Sequence, residues 1–150
     1  MAYLEGTVAI KAPLEAVYSL AKKMDDFPNY MPDVKSIKII ENLENSTVSE
    51  WVSAVEDMEV RWTEQEWYDD EVPRITYKLL EGDLDKFDGS WEFEPYEGGT
   101  KVTLKVTFDF GIPALEDLLG PTLNLKVREN INMMLTSLKT KIEGETKSLN

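Results

Sequence analysis

One hundred and fifty residues carry 16 basic and 29 acidic side chains, a formal charge of −13, with no cysteine and no histidine. A chain of this length is the size of one domain, read here as residues 1–150, and it buries roughly 70% of its unfolded surface without help from a metal or a disulfide. The charge repels phosphates, so no nucleic-acid partner is expected. The two missing residue types exclude disulfides, thiolate chemistry, Ser-His or Cys-His nucleophiles and the commonest zinc ligands.

Residues 3–11 read as a strand ending at Ala12-Pro13, and proline suits the first turn of a following helix because its missing N–H had no partner there. Leu14, Val17, Tyr18 and Ala21 then recur at helical spacing, and Asp25, Asp26, Pro28 and Pro32 interrupt the next stretch, giving two short helices. From Val34 onward strands are expected at about 34–43, 47–55, 58–69, 74–81, 86–95 and 100–110. Connections this short force an antiparallel meander. Its clearest joint is Tyr96-Glu97-Gly98-Gly99, a hairpin whose two glycines tolerate positive φ.

The last strand alternates: Val102, Leu104, Val106, Phe108 and Phe110 share one face, and Lys101, Thr103, Lys105, Thr107 and Asp109 the other. The strand before it sends Phe87, Gly89, Trp91, Phe93 and Pro95 to one side, the glycine marking a bend or bulge. After Gly111-Ile112-Pro113 comes a short amphipathic piece, ALEDLLG, and then a long helix from about Thr122, its expected N-cap, to Glu143, with Gly144 as its stop. Leu123, Val127, Ile131, Met134, Leu138 and Ile142 form its apolar stripe, widened by Leu135. The segment FGIPALEDLLGPTLN reads either as a flap over a cavity mouth or as a rigid connector whose Leu115, Leu118 and Leu119 finish the core.

These elements give an α+β fold in which a curved antiparallel sheet of about seven strands needs its concave face covered, and the long carboxy-terminal helix is the element able to cover it. The segments APLEAVYSLAKKMDDFPNYMPDVKSIKII and LEGDLDKFDGSWEFEPYEGGTKVTLKVTF, in this order before the final helix, resemble the START-like or helix-grip superfamily. That superfamily includes bacterial polyketide cyclases and coenzyme Q-binding proteins. The resemblance implies an elongated apolar cavity between sheet and helix that takes lipids, quinones or polyketide-like molecules. On this basis Trp62, Glu64, Trp91, Phe93, Leu104, Phe108, Leu115, Ile131 and Met134 are the expected ligand-binding residues.

The segment MEVRWTEQEWYDD puts Trp62, Glu64, Glu66 and Tyr68 on one face and Arg61, Thr63, Gln65 and Trp67 on the other, and periodicity leaves open which is inside. The plainer reading turns both glutamates to water, since carboxylates are rarely buried unpaired, with Arg61 pairing an acidic neighbour outside. If instead the glutamates face a cavity, desolvation and like charge raise their pKa and create an acid and base pair. Against polyketide aromatase/cyclases, Trp62 falls on a tryptophan of that group. Glu64, Glu66 and Val34 stand where those enzymes use serine, arginine and tyrosine, so their catalytic roles are not carried over.

Three functions are expected as alternatives. The first is a binder of a hydrophobic small molecule. The second is a cyclase/dehydrase-type enzyme with Glu64 or Glu66 as base and Tyr68 or Tyr77 as donor. The third is an acidic module for a basic protein partner. No metal or organic cofactor is expected. No apolar run nears the roughly 20 residues of a membrane span, and MAYLEGTVAIKAP lacks the pattern of a leader, so a cytoplasmic protein without an integral membrane segment is expected.

Overall fold

The computed structural model describes residues 2–55, 58–111 and 113–148, the side chains of residues 58, 113–119 and 145–148 excepted. Seven strands form one antiparallel sheet: β1 (Ala2–Ile10), β2 (Val34–Asn42), β3 (Ser46–Val55), β4 (Met58–Asp69), β5 (Arg74–Gly82), β6 (Lys86–Tyr96) and β7 (Gly99–Asp109). Between β1 and β2 lie α1 (Leu14–Lys22) and a 3-10 helix (Met24–Asn29), and α2 (Pro113–Ser148) closes the chain. The strand order is β1-β7-β6-β5-β4-β3-β2, so β2 to β7 form the expected meander and the first strand joins beside the last.

The curved sheet wraps α2, as the resemblance implied. Glycine at position 6 lets the two approach: a Cβ there would lie 2.8 Å from Ile131 Cγ2. Val102, Leu104, Val106 and Phe108 are buried on the inner face of β7, and Ile131, Met134, Leu135, Leu138 and Ile142 are buried on α2. At one end the core is plugged by the two short helices. Phe27, fully buried, sets its ring 6.1 Å from that of Trp51 and 5.9 Å from that of Trp91.

Three local expectations are corrected. The short piece and the long helix are one helix from Pro113 to Ser148, so Thr122 is not its N-cap and Gly144 not its stop. A proline inside a helix removes one backbone donor and strains one turn, and the strong helix formers on either side of Gly120-Pro121 carry the helix through. Pro13 caps α1 from outside rather than occupying its first turn. In the β6–β7 hairpin the positive-φ residues are Glu97 and Gly98, at 46° and 81°, while Gly99 is already paired in β7.

Candidate functional site

β3 runs antiparallel to β4 in a register that sets Thr47 beside Glu66, Ser49 beside Glu64 and Trp51 beside Trp62. The inner face of β4 is the one bearing the glutamates: Glu64 is 3% exposed and Glu66 0%. The expectation that both face water is therefore overturned. Burial is tolerated because β3 supplies hydroxyl partners across the register. Thr47 donates to Glu66 Oε1 at 2.6 Å and Ser49 to Glu66 Oε2 at 2.5 Å. Arg61, on the outer face, pairs with Glu59 at 2.7 Å.

Glu64 stands nearer the middle of the sheet. Its Oε1 accepts the Trp62 indole N–H at 2.7 Å, and its carboxyl is hydrogen-bonded to that of Glu66. Burial first, then the hydrogen bond to Glu66 and its charge, holds the Glu64 carboxyl well above the usual carboxylate range. Tyr77 on β5 lies beside Glu66 in register and donates to the backbone oxygen of Lys105 at 2.7 Å. Burial, followed by the charge of Glu64, pushes its phenol well up. Tyr68, hydrogen-bonded to Thr47 at 2.7 Å, is pushed up to about 12, chiefly by burial.

Glu64 faces a narrow cleft between the sheet and α2. Its inner chamber, about 30 Å³, is bordered by Trp51, Trp62, Glu64, Tyr77, Trp91 and Met134 among others. A second chamber of about 70 Å³, bordered by Leu84, Phe108, Phe110 and Leu123 among others, shares Ser53, Trp62, Phe87, Val127 and Asn130 with the first. As they stand the chambers have room for a few waters, against roughly 300 Å³ or more for a typical ligand pocket. A typical organic ligand needs more room than either chamber offers as it stands.

Of the expected site residues, Trp62, Glu64, Trp91, Leu104, Ile131 and Met134 border the inner chamber together with Tyr77, and Phe108 borders the outer one. Phe93 is placed elsewhere: it lies toward the end of β6 that α1 covers, where its ring meets Tyr18 edge-on at 5.2 Å. Glu66 sits behind Glu64 and borders neither chamber. Leu115, and with it the choice between flap and connector, lies outside the described side chains.

Sequence reasoning missed the contribution of β3. Thr47, Ser49, Trp51 and Ser53 alternate toward the interior, and the hydroxyls of Thr47 and Ser49, two positions apart and opposite two glutamates, were the available signal. Among the described residues no cluster of acidic side chains is arranged to hold a metal ion, and no helix is long and apolar enough to cross a membrane.

Comparisons with known proteins agree with this fold. The crystal structure of TTHA0849 from Thermus thermophilus superposes with a TM-score of 0.92 at 32% identity, over 96% of this chain and 99% of that one. The Zhui aromatase/cyclase from a Streptomyces species superposes at 0.81 with 18% identity, over 94% of this chain and 95% of that one. The ribosome association toxin RatA of Pseudomonas aeruginosa is 25% identical over 122 residues, 79% of this chain and 83% of that protein. Residues 10–135 match the model of the family described as polyketide cyclase/dehydrase and lipid transport. With a match across most of its length, the chain belongs to that family, and its sheet and carboxy-terminal helix share the fold of the aromatase/cyclase.

Proposed function

We propose that this protein binds a hydrophobic small molecule, of the lipid, quinone or polyketide-like kind, in the cleft between the sheet and α2. The observation that carries the reading is the cleft lining: apolar and aromatic on nearly every side, with a single carboxyl, Glu64, set into the wall of the inner chamber. Sites for small organic molecules have this composition, an apolar cavity with a few placed polar groups. The family description, which names lipid transport as well as cyclases, supports it. A cytoplasmic location belongs to the same proposal.

Val127 borders both chambers and is the place to test it. The Val127→Trp variant fills the cleft from a half-buried helix position; it is expected to keep the wild-type thermal midpoint and lose calorimetric binding of naphthol, an apolar aromatic probe. Unchanged binding by that variant would place the ligand elsewhere.

One observation favours proton-transfer chemistry on the same ligand as a second reading. Tyr68 and Thr47 border an outer groove, and a hydrogen-bonded path leads from them through Glu66 to Glu64 in the cleft. Such a path exchanges protons with solvent while a ligand fills the mouth. Tyr77 stands outside this path, its hydroxyl donating to the backbone oxygen of Lys105. Ribosome association, which the name of the Pseudomonas relative carries, is not proposed, since a chain of charge −13 repels RNA.

A further inference from the structure

The hydrogen bonds around the carboxyl pair have a direction. An indole N–H only donates, so Trp51 donates to Ser49 Oγ, at 2.8 Å, and the Ser49 hydrogen is left for Glu66. Thr47 gives its hydrogen to Glu66, so in the Thr47–Tyr68 contact the phenol is the donor. Two relays, one starting at Trp51 and one at Tyr68, thus end with hydrogens pointing at the two oxygens of Glu66. Glu66 accepts hydrogen bonds on both of its oxygens. Glu64, in hydrogen-bond contact with it, is the protonated partner and points its own hydrogen at Glu66.

The other hydroxyls bordering the inner chamber are committed in the same way. Ser53 donates to the backbone oxygen of Asp33 at 3.0 Å, and Tyr77 to that of Lys105 at 2.7 Å. Glu64, Ser53 and Tyr77 therefore turn only lone pairs toward the cleft, although all three carry a hydrogen. Trp62 and Trp51 have also spent their indole hydrogens, on Glu64 and Ser49. The donors left among the chamber's lining residues are the indole of Trp91 on β6 and the amide of Asn130 on α2.

We propose that the ligand brings the hydrogen-bond donor: an apolar, aromatic-compatible molecule whose polar end is a hydroxyl or a protonated amine, placed against Glu64. A carbonyl or ether oxygen finds lone pairs facing it there, and a carboxylate also adds a third acidic group to a buried carboxyl pair. This inference rests on the cleft being the binding site, and it narrows the ligand class within that reading. Quinones, esters and free fatty acids fall on the disfavoured side.

Three naphthalenes of nearly equal size separate the cases: naphthol, which donates; methoxynaphthalene, which only accepts; and naphthoate, which is an anion at neutral pH. In calorimetric titration of the wild-type protein, naphthol is expected to bind about fivefold more tightly than methoxynaphthalene, the ratio that one net hydrogen bond supplies, with naphthoate the weakest. The Glu64→Gln variant keeps that preference, since its amide donates to Glu66 and turns its oxygen to the cleft; Glu64→Leu brings the ratio to about one. Equal wild-type binding of naphthol and methoxynaphthalene, or tightest binding of naphthoate, would overturn the assignment while leaving the cleft a binding site. Binding of none of the three removes the site itself. The wild-type comparison needs no variant to fold.

Discussion

Glu64 and Glu66 stand two residues apart on the inner face of β4 and are both buried, yet Glu64 alone borders the cleft while Glu66 takes the Thr47 and Ser49 hydroxyls behind it. The pair has one member facing the cleft and one fixed by β3 hydroxyls. This division governs how stability responds to pH. The Glu64 carboxyl titrates well above its ordinary value of 4.5 when folded, so the native state holds a proton that the unfolded chain has lost. Stability from this group is full below the unfolded value and falls as pH rises through the folded one. Thermal melts across that range are expected to show wild type losing ground to Glu64→Gln as pH rises; a constant difference between the two contradicts the assignment of the proton to Glu64.

Removing either hydroxyl behind Glu66 strips a donor from a buried carboxyl. Ser49→Ala and Thr47→Val are each expected to cost about 1–3 kcal/mol, as leaving a buried polar group short of a partner does, read from urea unfolding. Ser49→Ala also leaves the Trp51 indole N–H without its acceptor. Losses of a few tenths of a kcal/mol for both would mean that the buried Glu66 carboxyl does not depend on these two hydroxyls.

Gly89 and Gly98 separate crowding from backbone strain. A Cβ on Gly89 would fall 1.8 Å from the Lys105 backbone oxygen and 2.6 Å from the Tyr77 hydroxyl that bonds it. Gly98 has open space around it but a φ of +81°. Gly98→Ala is expected to cost about 1–2 kcal/mol, whereas Gly89→Ala, which must push two strands apart, costs more than that or prevents folding. Denaturation midpoints of the two variants check the order.

Three of the four tryptophans are interior. Trp51 and Trp62 stack at 5.4 Å with planes 18° apart, Trp91 is buried, and Trp67 is 40% exposed on the outer face of β4. Trp67→Phe is expected to remove nearly all acrylamide-quenchable emission, and Trp62→Phe to leave it. The reverse would mean that the β4 faces are inverted. The Trp67→Phe protein then reports on the cleft through indoles that border it.

The parts of the fold that were legible derive from periodicity. The strict alternation from Val102 to Phe108 and the three-and-four spacing from Leu123 to Ile142 each name an inner face; the structure buries the first throughout and the second from Ile131 to Ile142, with Leu123 and Val127 half-buried beside the cleft. The inward turn of Glu64 and Glu66 was not legible, because β4 by itself offers a tryptophan on either face and only its register with β3 brings hydroxyls to the carboxylates. Charge statistics favour solvent for any glutamate; Thr47 and Ser49 override them here. Phe93 lies outside the cleft for a related reason: it shares the inner face of β6 with Trp91, but α1 and Tyr18 cover its end of the sheet. The continuity of α2 through Gly120-Pro121 was hidden by two residues that ordinarily end helices.

The most direct test of ligand binding is native mass spectrometry of the freshly purified protein, followed by denaturing extraction of whatever small molecule it carries. Expected is an apolar compound in stoichiometric amount, bearing a hydroxyl or an amine at its polar end. An empty protein that also takes up neither naphthol nor a fatty alcohol would contradict the assignment of the cleft as a binding site.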